Sequence, residues 1–245
     1  VSRRSGRIVG WTAAVLLALA FAGLGQWQLG RMHDKRAMLD AVEQTLTERQ
    51  AVPLAQAADP HRQRDYDWAA GRGRFLDTPA FVLDNQIHDG RPGLRVYRLF
   101  APDAGAPPLL VDLGWVPIAD RTARMPSTEV LAGDGLVGPS MDLQGLLAPP
   151  PSAGLALGPA IGAGPAWLMT RFDAQAIASS AGLPALSPRV LRLDPALPVG
   201  YGRDLEILPN TLPPEKHLGY AVQWFGLALT VLVTALVLTF RKSRR

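Results

Sequence analysis

Two uncharged apolar segments, one near each end of the chain, constrain its fold more than anything between them. No charged residue occurs from Ile8 to Leu29 or from Leu218 to Phe240. Each stretch exceeds the ~20 residues that a helix needs to cross the hydrocarbon core of a bilayer. Arg3, Arg4 and Arg7 precede the first, and Arg241, Lys242, Arg244 and Arg245 follow the second. Cationic flanks stay on the cytoplasmic side, which predicts two transmembrane helices with both termini cytoplasmic. The expected fold class is therefore a membrane α-helical hairpin with an inserted domain on the far face of a bacterial inner membrane. In residues, the plan is a cytoplasmic basic tail over 1–7, transmembrane helices over 8–30 and 217–240, a periplasmic domain over 31–216, and a second basic tail over 241–245.

The first apolar segment is longer than the about 7–15-residue core of a signal peptide, and the chain continues helix-like beyond Arg31. An uncleaved anchor is expected, although Ala20-Phe21-Ala22 resembles a cleavage site.

This arrangement changes the meaning of the basic isoelectric point. Seven of the 25 Lys and Arg residues are in the two tails; the 18 that remain face 21 acids, a balance of −3. A chain so balanced offers no basic groove to nucleic acid, which is excluded as a partner. The chain has no cysteine, so disulfides, thiolate metal sites and covalent haem attachment through CxxCH are excluded as well.

Trp11 and Trp27 bracket the first span as an interfacial belt would, and Gly23, Gly25 and Gly30 supply small positions for a close helix approach. The helix is expected to run on through Arg31–Glu48 until Pro53 ends it. Short strands are predicted at Gly73–Leu76, Phe81–Asp84, Leu94–Phe100 and Leu109–Val116, separated by Asp77-Thr78-Pro79, His88-Asp89-Gly90 and Asp103-Ala104-Gly105. Their order predicts an antiparallel meander, hence a mainly antiparallel β (α+β) domain. Residues 131–166 are rich in Gly, Pro and Ala and read as a long loop with a strand at Met141–Leu147; Pro149–Pro151 and Gly158–Pro165 are read as irregular. Asp173 should cap a short helix through Ser180, and Val190–Leu193 reads as a further strand.

Chemistry-bearing residues collect at the inner ends of the two apolar segments. Trp27, Arg31 and Lys35 are spaced by four, and His217, Tyr220 and Trp224 by three and four, so each set shares a helix face. If the helices pack, one imidazole, several aromatic faces and two cations would line a crevice at the membrane surface. That set suits a flat apolar ligand with anionic edges, and haem is the obvious one: His217 would ligate the iron, and Arg31 and Lys35 would neutralise propionates. The plainer alternatives are interfacial anchoring by the aromatics, snorkelling by the cations, a capping role for the histidine, and helix–helix bonding by Gln26, Gln28 and Gln223. His33, His61 and His88 are too scattered for a metal cluster. No nucleophile elbow, Walker loop or HExxH motif is present, and nothing argues for an enzyme.

The same segments carry a family resemblance. Leu24-Gly25-Gln26-Trp27-Gln28-Leu29-Gly30-Arg31, followed by Lys35, resembles the first-helix signature of the Surfeit locus protein 1 family. His217-Leu218-Gly219-Tyr220-Ala221-Val222-Gln223-Trp224-Phe225 resembles its second-helix signature. Leu83-Asp84-Asn85-Gln86 and Gly114-Trp115-Val116-Pro117 are similar to its central motifs. Two departures stand out: Asp112-Leu113 where the family has Asn-Arg, and Lys216 where Asn often precedes the histidine. The resemblance implies a non-enzymatic assembly factor for haem-copper cytochrome c oxidase in the respiratory chain, acting where haem a reaches the catalytic subunit. The implied partners are oxidase subunit I, other oxidase subunits or haem A synthase, and the lipid bilayer. His217 would be the haem ligand, with Trp27, Arg31, Lys35, Tyr220 and Trp224 around it. The alternatives are an oxidase-bound scaffold that never touches haem, and, setting the resemblance aside, an organiser of some other envelope complex.

Overall fold

A computed structural model describes residues 3–103, 105–118, 136–151, 160–162, 166–207 and 212–241, with the side chains of 3 and 4 excepted. It divides into two compact units, Val1–Asp40 with Asn210–Arg245 and Ala41–Pro209.

The first unit pairs the bulk of α1 (Arg3–Glu48) with the last helix, which we call α3 (Pro214–Arg241). Both are long and apolar enough to cross a membrane, each with an 18-residue window of mean hydropathy 2.1. The less exposed positions of α1 run Ala14, Ala18, Phe21, Gly25, Gln28 and Met32, in steps of four and three. Those of α3 run His217, Ala221, Trp224, Ala228, Val231 and Ala235 in the same rhythm. This is the seam of a left-handed antiparallel pair. The register is fixed along its length: Trp11 bonds Thr239, the Phe21 ring lies 5.6 Å from that of Trp224, Gln28 bonds His217, and Lys35 bonds the carbonyl of Leu212.

Small residues set the close approach of the two helices. A β-carbon at Gly25 would lie 2.8 Å from Phe225 Cζ, whereas one at Gly30 would meet nothing within 4 Å. Gly25→Leu is therefore expected to spread the helices, and Gly30→Leu to leave them packed. Thermal unfolding of the detergent-solubilised protein checks this: the first variant should lose about 1–3 kcal/mol, the usual cost of overpacking, and the second should melt with the wild type. Equal melting of both variants would rule out the seam.

Among the described residues the second unit is built on nine strands: β1 (Val52–Pro53), β2 (Asp67–Phe75), β3 (Phe81–His88), β4 (Arg91–Pro102), β5 (Leu109–Pro117), β6 (Met141–Ala148), β7 (Ile161–Gly162), β8 (Trp167–Met169) and β9 (Val190–Leu193). A short helix, α2 (Ala174–Ser180), is capped as expected by the Asp173 carboxylate, which accepts from the Ala176 amide at 3.0 Å.

The sheet is mixed. Pairs β1–β2, β3–β8 and β5–β9 are parallel, and the other six are antiparallel. The expected meander holds only for β3–β4–β5. Strand β2 lies instead between β6 and the far end of β4, where Gly73–Phe75 pair with Phe100–Pro102. That pairing closes β2, β6, β9, β5 and β4 into a ring, leaving β3, β8 and β7 as an extension beyond β4. A closed ring removes the open edges an exposed sheet would carry. Ile161–Gly162 form a strand inside the segment read from sequence as irregular, because the β8 backbone offers them partners. Residues 131–135, 152–159 and 163–165 of the predicted loop lie outside the described residues.

The barrel interior is filled by Phe75, Phe100, Leu109, Val111, Leu113 and Leu191, all at most 2% exposed. Phe81, Tyr97, Leu99, Leu110 and Val190 form a second cluster, which Ile177 of α2 helps to cover. The last turns of α1 belong to this unit: Val42 packs on Leu146 and Ala148.

Candidate functional site

His217 opens the second signature and lies one turn into α3. Its side chain is 7% exposed. Nδ1 is 2.7 Å from Gln28 Oε1 on α1. The partner atom is a carbonyl oxygen, so the ring donates its Nδ1 proton and Nε2 keeps a lone pair. Nε2 is itself buried and, among the described residues, has no hydrogen-bond partner. A buried, unsatisfied, lone-pair-bearing nitrogen is a costly arrangement for packing alone.

The other predicted site residues divide into two groups. Trp224 joins the seam against Phe21, and Lys35 reaches across to donate to the Leu212 carbonyl. Trp27 is 58% exposed and Tyr220 41% exposed, on outer faces of their helices. Arg31 is half exposed and pairs with Asp34 at 3.7 Å. The spacing-by-four stripe of α1 thus touches the seam only at Lys35. Gln28, which sequence reasoning treated as helix–helix bonding, does bond the two helices, and does so through the histidine itself. Its signal was present in the small residues: Ala18 and Gly25 mark the seam, and continuing their rhythm lands on Gln28 and Met32.

The two central motifs meet in the β unit and have structural work to do. Gly114 adopts φ +117° at a bulge opposite Val96 and Tyr97, a conformation that glycine tolerates best, and the Asp112 carboxylate accepts its amide at 3.0 Å. Trp115 lies over Gly93, where any β-carbon would come within 2.3 Å of the indole, and donates to the Gln86 carbonyl at 2.9 Å. Asp112 is buried beside Arg95 at 3.4 Å and Arg192 at 3.8 Å. Burial works against the Arg95 charge, yet Asp112, Tyr97 and Asp204 hold its pKa above the ordinary value. Burial pushes the Tyr97 hydroxyl far up, so it stays neutral. Leu113, where the family carries arginine, is fully buried in the barrel core.

Among the described residues no group of three His, Asp or Glu side chains could hold a metal. His88 pairs instead with Asp204 at 3.3 Å, and His33 and His61 are exposed.

No curated protein matches the chain. The model of one family, described as the SURF1 family, matches residues 15–229. The match runs from the first apolar helix through the β unit and past His217 and Trp224. On that coverage, which includes both helix signatures and both central motifs, the chain belongs to the SURF1 family, whose members are linked to cytochrome c oxidase assembly as assembly factors rather than catalysts.

Proposed function

We propose that this protein is a two-span inner-membrane assembly factor that holds haem a through His217 while it passes to the catalytic subunit of a haem-copper oxidase. Both termini would be cytoplasmic, with the β unit periplasmic, as the cationic tails require. The observation that carries the reading is the His217 imidazole, with Nδ1 engaged by Gln28 and Nε2 buried without a partner among the described residues. A second group that fixes the ring and leaves one nitrogen lone pair is the usual setting of an imidazole metal ligand. The donor set therefore fits haem iron, with Arg31 and Lys35, about one and two turns beyond Gln28 on α1, as cations for propionates. Bound there, haem would bring its own redox chemistry; the protein contributes ligation, orientation and shelter from water.

Because Nε2 is buried, loading requires the packing around His217 to loosen. A site of this kind holds its cargo only transiently, as a delivery step needs. The expected protein partners are oxidase subunit I, other oxidase subunits or haem A synthase.

Absorption spectra of the detergent-purified protein from a host making haem A test the reading. Wild type should carry haem a, and His217→Ala should carry none. Equal haem in both would place the ligand elsewhere. No haem in either, with an oxidase subunit co-purifying, would leave a scaffold.

A further inference from the structure

At the end of the helix pair remote from His217 the seam opens. Gly6, Gly10 and Ala14 recur every four residues along α1, opposite Thr230, Thr234 and Ala235 of α3, around a cavity of about 440 Å³. Trp11 Nε1 donates to Thr239 Oγ1 at 3.0 Å and ties the helices there. The Thr230 and Thr239 hydroxyls donate back to carbonyls of their own helix, so the walls present mainly methyl and methylene groups. A β-carbon at Gly6 or Gly10 would meet nothing within 4 Å. The hairpin therefore does not use this space for its own packing.

The rim of the groove is cationic. Arg7 lines it and Arg241 ends α3. In sequence, Arg3, Arg4, Lys242, Arg244 and Arg245 extend the same charge, while the first acid of the chain is Asp34 and the last is Glu215. No side-chain carboxylate near either tail in sequence competes for these cations.

We propose that this groove binds one anionic phospholipid, its acyl chain along Gly6, Gly10 and Ala14 and its phosphate at Arg7 and Arg241. Basic clusters beside membrane helices attract anionic headgroups. A neighbouring transmembrane helix is the poorer occupant, because its own cytoplasmic flank would carry Lys and Arg at the same depth and be repelled. The proposal rests on the membrane reading above and is independent of haem.

The test is native mass spectrometry of the detergent-purified full chain, incubated with phosphatidylglycerol or with phosphatidylcholine of the same acyl chains. Wild type should retain one phosphatidylglycerol and no phosphatidylcholine. Arg7→Gln should lower retention about fivefold, the worth of one cation at an anionic surface. Gly10→Leu, which fills open space, should abolish retention with far-ultraviolet circular dichroism unchanged. Equal retention of both lipids, or retention indifferent to both variants, would reveal only surrounding lipid and overturn the site. So would a wild type without lipid whose Gly10→Leu variant loses an oxidase subunit, since the groove would then seat a partner helix. Release of the protein from membranes by carbonate without detergent would instead overturn the membrane reading.

Discussion

Arg189→Met should cost the β unit about 3–5 kcal/mol, the usual result of removing one partner from a buried ion pair. Arg189 is fully buried, immediately ahead of β9. Its guanidinium donates to the Asp67 carboxylate at 2.5 Å and to the Gln56 carbonyl at 2.6 Å. These contacts join the start of β9 to the 3-10 helix after β1 and to the start of β2, each more than 120 residues away in sequence. Methionine keeps much of the volume but takes one of two donors from the Gln56 carbonyl, which would keep only the Asp59 amide at 3.2 Å. Asp67 would retain Arg62, 2.7 Å away, so the loss is not a wholly abandoned carboxylate. Thermal or urea unfolding of the full chain, followed by near-ultraviolet circular dichroism, gives the measurement. Asp67→Leu paired with Arg189→Met should destabilise less than the two single effects added, because neither charge is then left alone. A single Arg189→Met variant within 1 kcal/mol of wild type would show that the barrel closes without this clasp.

Much of this fold was readable where its cause is local. Val190–Leu193 is an apolar run interrupted only by Arg192 and bounded by prolines and an aspartate, and it is a strand with the predicted ends. Asp173 and the small helix after it follow from capping chemistry within four residues. Closure of the ring was not readable, because it depends on β2 meeting the end of β4. Gly73 is where they cross: a β-carbon there would lie 2.3 Å from the Ala101 carbonyl oxygen. In the sequence that glycine looks like a weak point of a strand, and only the partner explains it. The pairing of Gln28 with His217 was hidden for a similar reason. Charged and aromatic residues at steps of four drew attention to Trp27 and Arg31, yet these two helices meet along small residues such as Ala18, Gly25 and Ala221. Lys35 lies on both stripes and was found either way.

Gln28→Leu should weaken haem binding by about 10–100-fold, the usual price of losing the group that orients a metal-ligating histidine. The effect runs through the tautomer of the imidazole. With Gln28 Oε1 at 2.7 Å, the ring's proton is held on Nδ1 and the lone pair on Nε2. Leucine occupies similar space but offers no acceptor, so the ring would choose freely between tautomers and between orientations. Gln28→Glu should do the opposite: a carboxylate accepts the Nδ1 proton more strongly, makes Nε2 a better donor, and should retain at least as much haem as wild type. Titrating haem into the three detergent-purified proteins and following the absorption of the ligated iron separates these cases. His217→Ala serves as the floor. If Gln28→Leu binds like wild type while His217→Ala does not bind, then His217 is the ligand but some other group sets its tautomer. If Gln28→Leu falls and Gln28→Glu falls with it, the glutamine matters for helix packing rather than for the ring. Only the ordered series, glutamate at or above glutamine and leucine far below, fits an imidazole held for its Nε2 lone pair.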